Sequence, residues 1–257
     1  EDIVEKNLNC IHFIKTPNDQ LPLFNGATSL NLGQIQKYLD DFKPNIKNNN
    51  LGGLYKIKYK NHFLISDIDK PPQKKFSKSY QSGPLSFEYF LDGIKIVTNS
   101  GFGHHISKKI ELLSRLTACQ STLTINDTSI TKFEKNEMIS KIFGNSIQDS
   151  FKSFDVLSKN ENHLVGFSAS NNGYEKKFGC IHKREIYLDK ENNFLKGTDH
   201  IFKAKDGYPI RYAFRFHVNP ELSVVKTMSG NSALIQITKN KSLIFTIHDE
   251  DLEIEKS

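Results

Sequence analysis

Along most of this chain apolar residues recur at every second position, in short runs closed by turn-forming residues. Tyr55, Ile57 and Tyr59 alternate with Lys56, Lys58 and Lys60, the pattern of a strand with one face in a core and a Lys-studded face outward. Comparable runs lie at residues 62–66, 85–91, 94–98, 121–125, 163–168, 181–188, 211–218, 233–238 and 243–248. Turn signals separate several of them, among them Asp92-Gly93, Asn172-Gly173 and Asp206-Gly207. Many short strands at such spacing predict an all-β fold, a large antiparallel β-sandwich. One stretch has the helical period instead. From Asn31, the residues Leu32, Ile35, Tyr38, Leu39 and Phe42 recur at helical spacing, with Asn31 as N-cap and Pro44 as stop. Residues 132–149 are ambiguous, a loop with a helical turn. At 257 residues the chain is long enough for one large sandwich without disulfide staples.

Charge narrows the partners. The chain carries 35 basic and 29 acidic residues, a net +6, which suits acidic partners such as nucleic acid, anionic lipid or polyanionic sugar. Codon bias towards Lys, Asn, Ile and Phe produces the same sign. Its distribution says more: between Lys43 and Lys78 nine Lys face only Asp67 and Asp69, an excess of 9 − 2 = +7. Cys10, Cys119 and Cys180 have no ligand spacing and read as small apolar residues. No apolar run approaches the roughly 20 residues that span a bilayer, and the opening Glu1-Asp2-Ile3-Val4-Glu5 is no signal peptide. No transmembrane segment is expected.

Alternation over 211–218 places Arg211, Arg215 and His217 on one face and Tyr212, Phe214, Phe216 and Val218 on the other. Such a cationic row suits carboxylate or sulfate, Arg bidentately; a solvated sheet face has the same pattern. His182-Lys183-Arg184 puts two further cations on one face. The chain holds no Walker loop, GxGxxG, GxSxG, HExxH or zinc-finger spacing. His104-His105 are adjacent in a Gly-rich turn and give no metal set, and without a helix-turn-helix or RNA-recognition signature no nucleic-acid partner is assigned.

Three stretches resemble the C-terminal β-sandwich domain of the heparinase II/III-like polysaccharide lyases. The first joins Gly83-Pro-Leu-Ser-Phe-Glu88 to Val97-Thr-Asn-Ser-Gly101, and the second is Arg115-Leu-Thr-Ala-Cys-Gln-Ser-Thr-Leu123. The third runs from Ser170-Asn-Asn-Gly-Tyr174 through Phe178-Gly179, His182, Arg184 and Gly197-x-Asp199 to Arg215-Phe-His-Val-Asn-Pro220. Leu21-Pro-Leu-Phe-Asn-Gly26 also matches, in the segment that joins the family's domains. The resemblance implies residues 1–45 as a linker and remnant of a preceding helical domain, and 46–257 as the sandwich.

It implies more about chemistry. The family's lyases carry an N-terminal α/α toroid and cleave acidic polysaccharide at its junction with the sandwich. They do so by β-elimination, neutralising a uronate carboxylate, removing the C5 proton and protonating the leaving oxygen. The toroid is missing here, so the chain reads as a fragment, inactive alone. The family's catalytic His falls on Ser79, its zinc ligands on Gln81, Asn99 and Gln120, and a further His on Asn171. Neutral amides bind Zn²⁺ poorly, so no zinc and no other cofactor is expected. Gln81, Asn99 and Gln120 could instead form a metal-free hydrogen-bonded network. Tyr80 and His182 remain as candidates for proton transfer, and Arg115, Arg184, Arg211, Arg215 and His217 for binding an acidic polysaccharide. A buried structural His and a surface Tyr are the competing readings. The resemblance favours a periplasmic bacterial protein, with the cytoplasm left open. Three functions stay in play: a lyase domain, a degenerate module that grips polyanionic sugar, and a scaffold.

Overall fold

The computed structural model describes residues 3–28, 32–203 and 210–255. Two helices come first, α1 (Ile3–Ile14) and α2 (Gln36–Asp41). After them come β1 (Asn50–Leu51), β2 (Leu54–Tyr59), β3 (His62–Asp67), β4 (Phe87–Leu91) and β5 (Ile94–Thr98). A loop-rich middle holds α3 (Lys108–Leu113), β6 (Leu123–Ile125) and α4 (Glu137–Phe143). Next are β7 (Ser153–Asn160), β8 (Leu164–Asn171), α5 (Glu175–Phe178), β9 (Cys180–Asp189) and β10 (Phe194–Lys203). The chain ends in β11 (Tyr212–Phe214), β12 (His217–Val218), β13 (Ser223–Lys226), β14 (Ser232–Thr238) and β15 (Lys241–Thr246).

All paired strands are antiparallel. A six-stranded sheet in the order β1-β2-β3-β4-β5-β12 faces a four-stranded sheet, β10-β9-β8-β7. Their facing side chains make the main core: Tyr55, Ile57, Leu64 and Tyr89 from one sheet, Val165, Phe167, Ile186 and Leu188 from the other. Ile235 and Ile237 of the three-stranded sheet β13-β14-β15 join it. This is the expected sandwich. Among the described residues no helix is long and apolar enough to cross a membrane.

The expected period-two runs form strands, with two informative differences. β3 and β4 are buried on both faces, because Phe24, Phe63, Ile65 and Phe90 form a second layer on the outer side of the sheet, with Ile14 of α1 packed on it. Lys56 is therefore not free in solvent: its Nζ donates to the Phe13 carbonyl (2.8 Å) and lies over the Phe13 ring. Burial, helped by the Lys58 charge, pulls its pKa down to about 8. The second difference is the 211–218 run, which splits: β11 pairs with β6 and β12 with β5.

The helix expected from Asn31 to Phe42 is a 3-10 turn, Leu32–Gln34, and then α2. It ends where Phe42 turns extended, two residues before Pro44. Asn31 and the Asp206-Gly207 turn lie outside the described residues. Asp92-Gly93 forms the β4–β5 hairpin with both residues at positive φ. Asn172-Gly173 instead leads into α5, and residues 132–149 hold the short helix α4, N-capped by the Asn136 side chain.

Candidate functional site

The site is built around residues 77–83, which run between the linker and the loop-rich middle. Gly26 presses on Ser79 so closely that a Cβ there would sit 2.7 Å from the Ser79 Cβ and Oγ. Its φ of +98° suits glycine. The Gly26 N–H donates to Gln81 Oε1 (3.1 Å), and Gln81 Nε2 donates to the Gly101 and Ser114 carbonyls (2.9 and 3.3 Å). Gln120 Nε2 donates to the same Ser114 carbonyl at 2.9 Å. Two of the three amide positions thus meet at one backbone oxygen. Asn99 stands apart, its Oδ1 accepting from the Ser121 N–H (2.9 Å), its Nδ2 buried without a hydrogen-bond partner among the described residues. Among the described residues no three His, Cys, Asp or Glu side chains gather as metal ligands would. The donor set at 81, 99 and 120 does not fit Zn²⁺, because neutral amides already bonded to backbone offer neither thiolate, imidazole nor carboxylate.

Glu88, the acid of Leu-Ser-Phe-Glu, explains why that motif abuts the site. It is fully buried, bonded to Lys95 Nζ (2.9 Å), Thr98 Oγ1 and the Asn99 N–H (3.3 Å each). The desolvation of burial raises its pKa against the pull of Lys95. The Leu23 N–H also reaches it, so one carboxylate holds both the linker and the Asn99 strand end.

Tyr80 is buried in a second apolar cluster, with Leu123, Ile125, Phe133 and Tyr174. Burial, then the nearby Asp67 charge, hold its hydroxyl well above the ordinary tyrosine range. Arg115 lies beneath it, wholly inaccessible. Its guanidinium donates to the carbonyls of Tyr80 (2.8 Å), Asn145 (2.7 Å) and Ser77 (2.8 Å) and stacks 4.0 Å from the Phe133 ring centroid. Burial lowers its pKa to about 10. Arg115 staples the 77–80 segment from inside and leaves no face for a ligand.

The inward face of β9 holds His182 and Arg184, both about 1% exposed. Arg184 forks onto both Asp199 oxygens (2.7 and 3.0 Å) and donates to the Leu85 and Ser121 carbonyls (2.8 Å each). His182 Nε2 meets Asp199 Oδ1 at 2.7 Å, while Asn171 Nδ2 approaches Nδ1 at 3.4 Å. An amide donor at Nδ1 requires that nitrogen to accept, so Nε2 carries the proton and the ring is neutral. Burial agrees, lowering the His182 pKa despite the Asp199 hydrogen bond. For Asp199 burial works the other way, yet the Arg184 charge and the His182 bond outweigh it and depress its pKa. Asn171, His182, Asp199 and Arg184 form one buried chain of polar contacts.

Of the cations of 211–218, Arg211 and Arg215 converge on the Asp127 carboxylate, and His217 leaves the row for the Ala118 carbonyl. Arg211 is exposed and bonds Asp127; Arg215 approaches Asp127 (3.8 Å) and Glu255 (3.4 Å). His217 Nε2 lies 3.0 Å from the Ala118 carbonyl, and burial lowers its pKa. The row breaks because the chain changes sheet between Phe214 and His217.

Asp67 belongs to this region although no sequence motif singles it out. It closes β3 under the linker, accepting from Asn25 Nδ2 and the Asp69 N–H (3.3 Å each), and desolvation lifts its pKa to about 7. Its one sequence signal is a carboxylate at the end of an apolar run beside the linker motif.

No curated protein matches the chain. Solved structures do. A mutant of heparan sulfate lyase HepC from Pedobacter heparinus superposes with a TM-score of 0.71 at 15% identity, over 96% of this chain and 39% of that one. A structure of heparinase III gives 0.67 at 16% identity, over 94% and 40%. At such identities the likeness establishes the fold, and the chain spans only about two fifths of these proteins' length. Residues 43–257 match the family described as Heparinase II/III-like, C-terminal, nearly all of the chain beyond its helical N-terminal segment. With the sandwich, its linker contacts and the Leu-Ser-Phe-Glu and Arg184–Asp199 positions in place, the chain belongs to the heparinase II/III-like C-terminal family.

Proposed function

We propose that this chain is the sandwich portion of a polysaccharide lyase acting on an acidic, uronate-containing polysaccharide by β-elimination, and that it does not catalyse the reaction alone. The observation that carries this is a lyase-type sandwich whose 79, 81, 99 and 120 positions hold neutral side chains, the three amides tied to backbone. β-Elimination needs a group that takes a proton from C5 and one that returns a proton to the leaving oxygen. Ser79, Gln81, Asn99 and Gln120 exchange none near neutral pH, and the Tyr80 hydroxyl is shut away from solvent. The proton-transfer groups are accordingly assigned to a preceding helical domain, and this chain to shaping and charging one wall of the substrate cleft.

The same neutral set favours a second reading, a domain that grips polyanionic sugar without cutting it. A polypeptide carrying this chain behind a helical domain separates the two. Incubated with heparan, chondroitin and alginate types, the lyase gives an ultraviolet-absorbing 4,5-unsaturated product, which Gln81→Ala leaves standing. Binding with no product on any of them supports the gripping module. Zinc is assigned no place in either reading. Metal analysis of the purified chain is expected to find none, and one stoichiometric Zn²⁺ would overturn that assignment.

A further inference from the structure

We infer that the exposed face formed by residues 74–78 and α4 binds sulfated or carboxylated sugar chains, through Lys74, Lys75, Lys78, Lys135 and Lys141 set around Phe76. This rests on the acidic-polysaccharide reading and names the cations which that reading requires. Arg115 and Arg184 are committed to internal carbonyls and Asp199, and Arg211 and Arg215 to Asp127 and Glu255. Anionic groups on a bound sugar therefore need other partners. All five lysines are exposed, and among the described residues none forms an ion pair.

The backbone brings them together. Lys74–Phe76 is a 3-10 turn leading straight to Ser79. The far end of α4 stands against it: a Cβ on Gly144 would lie 3.0 Å from the Lys78 Cβ, and the Ile147 N–H donates to Ser77 Oγ (2.9 Å). Arg115 binds the Ser77 and Asn145 carbonyls together, and Asn145 Nδ2 returns to the Glu134 carbonyl (2.7 Å), closing the base of α4. Three of the nine lysines of the Lys43–Lys78 stretch thus lie on one rim, beside the position where the family's lyases hold their catalytic His. Phe76 is 66% exposed, and the Lys75 Nζ lies over one side of its ring at 4.8 Å from the centroid, so the C–H side of a pyranose can stack on the other side while flanking ammonium groups meet its charges. The outward side of α4 also presents Met138 and Ile142, 73% and 75% exposed. An anionic bilayer would use those two side chains first, which makes lipid the alternative outcome.

The test is calorimetric titration of the 257-residue chain with heparin at several salt concentrations. Lys74→Ala/Lys75→Ala/Lys78→Ala is expected to weaken binding at least about tenfold and to flatten the salt dependence by roughly two to three counterions. Lys135→Ala/Lys141→Ala should weaken it severalfold, whereas Lys58→Ala/Lys60→Ala, which removes charge from the β2–β3 hairpin instead, should change it less than about twofold. Thermal melts of each variant check that the fold is kept. Equal losses in the patch and hairpin variants, or no loss in either, overturn the inference. So does binding to phosphatidylglycerol vesicles but not heparin, abolished by Met138→Ser/Ile142→Ser. Product formation by the longer polypeptide is measured in parallel. Product that patch variants leave unchanged sinks the patch alone, and patch-dependent heparin binding with no product sinks the lyase reading alone.

Discussion

Asp67 has two hydrogen-bond donors and no cation beside it among the described residues, while Asp69 and the buried Tyr80 hydroxyl face it. Its pKa rises from 3.8 to about 7, desolvation first, then the Asp69 charge, against those hydrogen bonds. A carboxyl raised in the folded state holds its proton longer folded than unfolded. Its contribution to stability is full below the unfolded value near 3.8 and is lost as pH climbs to about 7. The difference is on the order of 4 kcal/mol by the usual conversion. Asp67→Asn is expected to flatten the stability profile between those pH values and to raise the melting temperature at pH 8; an unchanged slope in melts from pH 4 to 8 would refute this. Nothing in the alternation of His62–Asp67 marks this carboxyl, because its burial comes from Asn25, forty-two positions away. Arg115 and Arg184 look like ligand residues in the sequence for a related reason. Residue type says what an Arg can bind, and only packing says that its donors are already spent on carbonyls.

Elements are legible where one face alone is buried. β9 alternates buried and half-buried residues over its whole length, and its expected bounds hold to within one residue. β3 and β4 look half-buried in sequence because period-two patterns do not reveal a covering layer. β10 escapes the pattern altogether: among the described residues it pairs with β9 alone and leaves Phe194, Lys196, His200 and Phe202 exposed, so no apolar alternation marks it. β8 shows an element under steric control. At Gly166 a Cβ would lie 2.1 Å from the Ile186 carbonyl and 2.6 Å from the Tyr187 ring, and Tyr55 donates its hydroxyl to the Gly166 carbonyl (2.8 Å). Gly166→Ala must therefore part β8 from β9. A loss of about 3 kcal/mol or more is expected, seen as a lowered denaturant midpoint and faster amide exchange in both strands. Exchange that stays slow there would show that the sheet accommodates the methyl group.

At the scale of the molecule, Arg184 is the point where the pieces meet. From β9 it ties Asp199 of β10 to the loop carbonyls of Leu85 and Ser121. Arg184→Ala leaves Asp199 largely buried with the neutral His182 as a hydrogen-bond partner and no cation, and should cost about 3–5 kcal/mol. A denaturation midpoint within error of the parent would contradict that role. Chain order, strand period and turn residues determined the all-β class, most strands, the hairpin at Asp92-Gly93 and the family, because those depend on local geometry and linear motifs. Which charges face solvent was decided by the tertiary structure. Sheet pairing split the 211–218 row, the linker closed over Glu88 and Asp67, and two cores drew in Arg115, Tyr80, His182 and Arg184. Burial and hydrogen bonding between distant segments make those choices, and neither is written in the spacing of neighbouring residues.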